Sequence, residues 1–341
     1  MINKHERVRK MPLVSVIVPA YNAENTVEKT IQDILAQSFQ DFEVILVDDG
    51  SKDNTPAVCD KLGSFDSRIQ VIHQVNGGLS NARNNGTIKA TGEYVTYIDS
   101  DDRIEPAYLE YLVRAITEEK ADISCARIDR VKEDYELGQF PGQYCAETFD
   151  KRETLSEMLT GKKLTVGACC RLVPREWQLK NPFLDGTYYE DLSNTYKVNM
   201  LADKTVFVDA VLYHYVMRGG SITGRKVTSE KQCVDYNNAI DACYDTVMTS
   251  YPELENDAAV LKARDYMSLY LSIQRCREKN GNLLHMQQKI KVWMKKNWIK
   301  AAKNEKAPKE VRLRILLFRI NPTLYEKIYY IGIRAKGKAI S

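Results

Sequence analysis

The sequence predicts an α/β fold: a doubly wound, mostly parallel sheet with a helical region at its C-terminal end. Three observations carry that expectation. Short apolar runs rich in β-branched residues alternate with helix-period segments through the first hundred residues. The spacing between successive runs is short, and strand-helix-strand units of this kind require parallel strands with right-handed crossovers. Three of the four predicted strands end in polar, mostly acidic turns, and open α/β sheets bind ligands outside the carboxyl ends of their strands.

The first strand is "LVSVIV", residues 13–18, a continuous apolar run suited to burial on both faces. Asn25-x-x-Glu28 resembles a capping box, and Val27, Ile31, Ile34 and Leu35 follow at helical spacing. Residues 42–47 form the second strand. Thr55-Pro56 opens a short helix that stops at Gly63. Residues 69–73 form the third strand, residues 80–90 a helix capped by Gly92, and residues 93–98 the fourth strand. Beyond residue 120 the pattern predicts strands at 122–131, 165–173 and 204–216, with helices at 151–161 and 189–202. From about residue 227 it is helical to the end.

A chain of 341 residues allows about two domains. Eight scattered cysteines form no C-x-x-C pair, and no signal peptide is evident at residues 1–10. Both points indicate reduced thiols in a cytoplasmic protein. No stretch approaches the roughly 18 apolar residues of a membrane-spanning helix. The net charge of +3 hides an asymmetry: residues 286–341 hold 15 Lys and Arg against Glu305, Glu310 and Glu326.

The polar strand ends carry the chemistry. "YIDSDD" places Asp99, Ser100, Asp101 and Asp102 after the fourth strand. Crowded carboxylates repel one another unless a cation lies between them. Mg²⁺ and Mn²⁺ prefer such oxygen ligands, and usually hold one or two carboxylates while substrate phosphates complete the shell. A helix cap near Pro106 or a solvated acidic turn are the alternatives. An EF-hand is excluded, because Ile104 stands where that loop needs glycine. Neither G-x-G-x-x-G nor a P-loop is present, so a bound diphosphate needs a metal or basic side chains such as Arg83. "NGGLSNARNNG" puts Gly77, Gly78 and a helix N-terminus beside the same rim, which suits an anion, with a flexible loop capped by Ser80 as the alternative.

Taken in order, "VSVIVPAYNAE", "FEVILVDDGSKDNT", "GGLSNARNNG", "YIDSDD", "YYEDLSNTYK" and "LYHYVMRGGSIT" resemble the successive signatures of family-2 inverting glycosyltransferases of the GT-A fold. The resemblance spans about residues 12–224. It implies a Rossmann-like nucleotide-sugar half at 12–120, an acceptor half at 121–224, and a helical region with a basic amphipathic tail at 225–341. It also implies transfer of a sugar from a nucleotide-sugar, usually UDP-linked, to a saccharide or lipid-linked acceptor in bacterial surface polysaccharide assembly. Tyr21 would stack on the base and Asp49 would accept from uracil N3–H. Pro19, Asn22, Glu24, Gly78, Arg83 and Ser100 would complete the donor site. Asp99 and Asp101 would bind Mn²⁺ or Mg²⁺, with Asp101 the more direct ligand, and Asp191 would be the catalytic base. By residue type alone, Glu190 and Asp191 could equally cap a helix start, and His214 could be a metal ligand or an ordinary strand residue. Two departures, Asn194 in place of an aromatic and Cys169-Cys170-Arg171-Leu172-Val173 in place of a Trp-Asn-Lys-Leu-Tyr run, flank the acceptor side and leave the acceptor open.

Two other classes fit less well. A nucleotidyltransferase would carry a Gly-rich basic loop after the first strand, where "PAYNAEN" stands. A non-catalytic nucleic-acid binder would need a recognisable module beside its basic tail, so no nucleic-acid partner is expected. In the tail, "MQQKIKVWMKKNWIK" sets Ile290, Trp293, Met294 and Trp298 on one helical face and lysines on another. That pattern suits either an anionic membrane surface, on the inner face of the cell membrane, or packing on the catalytic domain.

Overall fold

The computed structural model of the chain describes residues 13–138, 144–218, 228–277 and 279–335. β1 (Val14–Ala20) is buried at every position. Strand alternation sends Val14, Val16 and Val18 to one apolar cluster and Ile17 to another, so both faces of the strand are covered. β1 pairs in parallel with β2 (Phe42–Asp48) on one edge and β4 (Tyr94–Tyr97) on the other, and β3 (Ile69–His73) extends the sheet beyond β2. The crossovers are α1 (Val27–Leu35), α2 (Thr55–Phe65) and α3 (Leu79–Lys89). The resulting order β3-β2-β1-β4 reverses direction at β1. A crevice therefore opens between the carboxyl ends of β1 and β4.

The second half contains β5 (Arg103–Ile104), α4 (Tyr108–Glu119), β6 (Ile123–Lys132), β7 (Ala146–Asp150), α5 (Lys151–Thr160), β8 (Arg171–Pro174), α6 (Arg175–Lys180), α7 (Glu190–Asn199) and β9 (Lys204–Met217). β8 welds the halves together, running antiparallel to both β4 and β6. β6 and β9 are parallel over ten residues, and β9 also takes β5 and β7 antiparallel. The short β5–β9 ladder pairs Arg103 with His214, which carries the end of β9 back to the turn after β4.

Five helices follow: α8 (Glu230–Ser250), α9 (Glu255–Gln274), α10 (Gly281–Ala302), α11 (Lys309–Ile320) and α12 (Pro322–Ala335). α9 is buried around most of its circumference. Leu155, Met158, Leu192 and Tyr196 from the acceptor half share one apolar core with Cys243, Val247, Ala258 and Tyr266. That core continues without a break across the expected boundary near residue 224.

Several local expectations are corrected. Asn25 and Glu28 do not form a capping box: α1 starts after Thr26 with no side-chain cap, and Glu28 pairs with Lys61 at 3.2 Å. α2 runs through Gly63 to Phe65. α3 begins after Gly78, so Ser80 is not its cap, and it ends at Lys89, so Gly92 is not its C-terminal cap either. The strand expected at 165–173 shrinks to Arg171–Pro174, because Cys170 turns to φ 59° and the residues before β8 meet the sheet through single contacts, a bridge between Cys169 and Tyr97 and a bond from Ala126 N to the Cys170 carbonyl. Residues 219–223 of the last sequence block, and the end of the basic tail from residue 336, lie outside the described residues.

Candidate active site

α3 lies close on the sheet because Gly86 has no side chain: a Cβ there would stand 2.5 Å from Ile17 Cγ2. One turn earlier on the same helix, Arg83 reaches the rim and is 2% exposed. Its Nη2 donates to Asp99 Oδ1 at 3.0 Å. Its Nη1 donates to Glu190 Oε1 at 3.0 Å and to Asp191 Oδ1 at 2.8 Å. One guanidinium thus clasps the acid after β4 and both acids at the start of α7. The rings of Tyr97 and Phe183 lie 5.8 Å and 5.4 Å from it, which keeps water away and strengthens these contacts. Burial opposes the Arg83 charge, but Asp191 and Asp99 outweigh it and hold the group protonated well above its usual range. Burial, then the charge of Asp191, pushes the Glu190 carboxyl up to about 7.

α7 is set by its neighbours. Tyr189 at its cap position is left-handed, φ 61°, and stacks on Tyr236 of α8 with ring centroids 3.9 Å apart. No side-chain cap bond is made there. Glu190 and Asp191 turn instead to Arg83, so they are more than dipole partners of the helix.

The turn after β4 closes through Asp102 N donating to Asp99 O at 3.0 Å. Asp102 is buried and accepts from Tyr213 Oη at 2.7 Å and Val216 N at 2.9 Å, tying the turn to β9. Burial and the charge of Asp99 push its carboxyl up to about 8. Neither Asp101 nor Asp102 caps α4, which begins after Ala107 with no side-chain cap bond. Asp101 remains the open acid of the turn, with a side chain 45% exposed, and Arg218 Nη1 meets its Oδ2 at 2.9 Å. Arg218 Nη2 also donates to the Asp101 carbonyl at 2.6 Å. Burial and the nearby Asp99 raise the Asp101 carboxyl above its ordinary value.

Asp99 and Asp101 share the turn after β4, and each meets an arginine, Arg83 and Arg218 respectively. No group of three or more His, Cys, Asp or Glu among the described residues could hold a metal without help. Two carboxylates suit a Mg²⁺ or Mn²⁺ ion whose remaining ligands come from a bound diphosphate. His214 belongs elsewhere: it is buried, and its Nε2 lies 2.7 Å from Glu105 Oε1 and 3.4 Å from Tyr135 Oη.

The nucleotide side is built from the ends of β1 and β2. Pro19 is buried within β1 beside Val47, and Tyr21 stands 46% exposed just beyond it. Asn22, at φ 49°, accepts from Lys52 N at 2.9 Å, and Glu24 accepts from Asn54 N at 2.8 Å. These two residues stitch one loop to the other. Asp49, expected to accept from uracil N3–H, is 3% exposed. It accepts from Gly77 N and Gly78 N at 2.8 Å each and from Gln74 Nε2 at 2.7 Å. The orphan amides before α3 need an acceptor, and Gly78 supplies the positive φ of 85° that aims its amide there. Ser100 is buried inside its turn.

Arg218, Tyr213 and Cys169, whose Sγ lies 4.0 Å from Arg83 Nη2, were not singled out for the site by sequence reasoning. Cys169 also lines a cavity of about 490 Å³ between β6, the segment before β8, and β9, whose rim includes Arg127, Asp129, Lys162 and Lys163.

The parallel sheet with its switch point, and the acid cluster at that rim, have the layout of a GT-A fold. Comparison with known proteins agrees. The glycosyl transferase family 2 model matches residues 15–179. Glycosyltransferase GlyG of Streptococcus pneumoniae is 34% identical over 221 residues, which span 62% of this chain and 72% of that protein. The cholesterol galactosyltransferase of Borreliella burgdorferi is 32% identical over 62% of each chain. The crystal structure of S. aureus TarS in complex with UDP-GlcNAc superposes with a TM-score of 0.65 at 19% identity, covering 94% of this chain and 92% of that one. The chain belongs to glycosyl transferase family 2.

Proposed function

We propose that the protein is an inverting, metal-dependent transferase that moves a hexosyl or N-acetylhexosaminyl group from a UDP-sugar to a saccharide or lipid-linked glycan at the inner face of the membrane. The observation that carries this reading is the Arg83 clasp, which gathers Asp99, Glu190 and Asp191 at the switch point of the sheet. A UDP-linked donor is favoured because the similar TarS fold was solved with UDP-GlcNAc. A lipid-borne acceptor has a parallel in the cholesterol galactosyltransferase.

In this reading Asp191 takes the proton of the acceptor hydroxyl as its oxygen bonds to the anomeric carbon. The bond from that carbon to the diphosphate oxygen breaks on the opposite face, and its electrons leave with UDP. Asp99 and Asp101 would hold a Mn²⁺ or Mg²⁺ ion, which supplies charge neutralisation to the departing diphosphate. Arg83 fixes the base and the first metal carboxylate relative to each other, so the two ends of the reaction share one reference point. Tyr21 offers the open ring on which the uracil stacks. In this reading the acceptor enters by the cavity that Cys169 lines.

The test is a nucleotide-sugar panel with and without Mn²⁺, read as release of the nucleoside diphosphate. Turnover of a UDP-sugar that disappears in EDTA and returns with Mn²⁺ supports the reading. Full activity after exhaustive chelation refutes the metal, and turnover confined to GDP- or CDP-sugars refutes the donor.

A further inference from the structure

α10 hides the apolar side that its sequence displays: Ile290 and Met294 are buried, and Trp293 packs edge-on against Tyr244 and Tyr266. Several of its lysines are engaged as well, Lys289 with Asp241 and Lys300 with Glu255. The face of that helix holding Ile290, Trp293 and Met294 is packing, while Leu284, Val292 and Ile299 stand exposed on its other sides.

The next two helices differ. α11 turns Ile315 and Phe318 inward, but Leu313, Leu316 and Ile320 stand 66%, 38% and 77% exposed. α12 turns Tyr325 inward, but Leu324, Ile328 and Ile331 stand 42%, 46% and 63% exposed. Each trio is spaced by three and four residues, so each forms one stripe along its helix. Asn321 joins the helices with no slack, its Oδ1 accepting from Thr323 N at 2.9 Å and Leu324 N at 3.0 Å. Six large aliphatic side chains facing outward on two consecutive helices exceed the scatter of a monomer surface.

Charge selects the occupant. Lys309, Arg314, Arg319 and Lys327 are exposed on these same two helices, and among the described residues none of them has a carboxylate within ion-pair distance. Residues 286–341 carry 15 Lys and Arg against three Glu. A second copy laid face to face would set like charges against each other. A surface that is apolar to a shallow depth and anionic above it satisfies both features.

We propose that α11 and α12 form a docking surface for an anionic lipid bilayer. The six aliphatic side chains enter the boundary between headgroups and acyl chains, and the four basic residues lie among lipid phosphates. The proposal shares with the proposed function only the expectation of a membrane-borne acceptor, and vesicle binding is read without any sugar transfer.

The experiment is flotation of the full-length protein with vesicles of phosphatidylcholine alone or with about one third phosphatidylglycerol. Two variants accompany it: Ile320→Glu with Ile331→Glu, and Arg314→Gln with Arg319→Gln and Lys327→Gln. Both alter exposed positions, and matching thermal melts establish that they fold. The wild type floats with anionic vesicles and stays behind with neutral ones. The charge variant loses roughly fivefold in partitioning per basic residue removed, and loses most of its response to salt. The double glutamate variant does not float. Wild type that ignores anionic vesicles overturns the proposal even if the enzyme turns over a UDP-sugar. So does equal flotation of all three proteins, or a wild-type dimer in solution that the glutamate pair converts to monomer.

Discussion

At Arg83 a single cation answers three carboxylates inside a nearly dry site, and the consequences are specific. Glu190, with its carboxyl at about 7, holds its proton more tightly in the folded state than in the unfolded chain. Its contribution to stability is therefore complete below about pH 4.5 and is lost as pH rises through 7. The full span is worth at most about 3 kcal/mol. Glu190→Gln keeps an acceptor for Arg83 but removes the titration, so its melting temperature should vary less between pH 5 and 8 than that of wild type. Parallel melting curves for the two proteins across that range would refute the assignment. Asp191→Asn should lower turnover by roughly 10²–10⁴ with donor affinity kept, the usual loss for a general base. A variant within about twofold of wild type would move the base elsewhere. Arg218 gives a third expectation. It now neutralises Asp101, the carboxylate with the most open face of the turn. Arg218→Ala should bind Mn²⁺ alone more tightly than wild type by calorimetry, because the ion no longer displaces a cation. Unchanged or weaker Mn²⁺ binding would mean that Asp101 is not a ligand.

At the scale of elements, the closest fit in the site is α3 on β1. A methyl group at residue 86 would meet Ile17 Cγ2 at 2.5 Å, well inside contact distance, in a part of the sheet where both faces are filled. Gly86→Ala should cost about 1–3 kcal/mol as overpacking, and should loosen Arg83 one turn away. Ile17→Ala in the same chain should recover part of the loss. A melting temperature for Gly86→Ala equal to wild type would show that the helix can shift freely. The first four strands were legible in the sequence to within one or two residues, because β1, β2 and β4 are buried along most of their length and write a continuous apolar signal, and the edge strand β3 keeps three β-branched residues in five. β8 was not. Residues 165–170 have the composition of a strand, but Cys170 sits at φ 59° and only Cys169 bridges to Tyr97. The site was legible in the same uneven way. Local motifs marked the acids of the β4 turn and of α7, since each is a dense run of one residue type. The partners joining them were hidden, because Arg83 and Asp191 are 108 residues apart, and Arg218 reaches Asp101 only through the pairing of β5 with β9. The glycine amides that Asp49 accepts were hidden too, because Gly77 and Gly78 lie 28 and 29 residues further along the chain.

For the whole molecule, the helical region and the acceptor half depend on each other. α5 and α7 bury Leu155, Met158, Leu159, Leu192 and Tyr196 against α8 and α9, and the same cluster continues through Ile290 and Met294 to Ile315, Phe318 and Tyr325. Glu190 and Asp191 are carried by α7, so this core also sets the position of the acids that hold Arg83. A chain cut near residue 224, where the family resemblance ends, would leave those five side chains facing water. Each large aliphatic exposed costs about 1.5–3 kcal/mol, so five together exceed much of the stability of an ordinary domain. Such a truncated chain should be insoluble or molten, with no cooperative melt. A chain cut after residue 308 keeps α8, α9 and α10 and loses the burial of Ile315, Phe318 and Tyr325 with the partial packing of Val311, Leu317, Tyr329 and Tyr330. It should fold with a melting temperature several degrees lower, keep the circular dichroism of an α/β protein, and release nucleoside diphosphate at a rate near that of the full chain. A cooperative melt from the chain ending at 224 would show that the two regions fold independently. Loss of cooperative melting at 308 would show that the rest of the core cannot fold without α11 and α12, a result that would also weaken their assignment to a lipid surface.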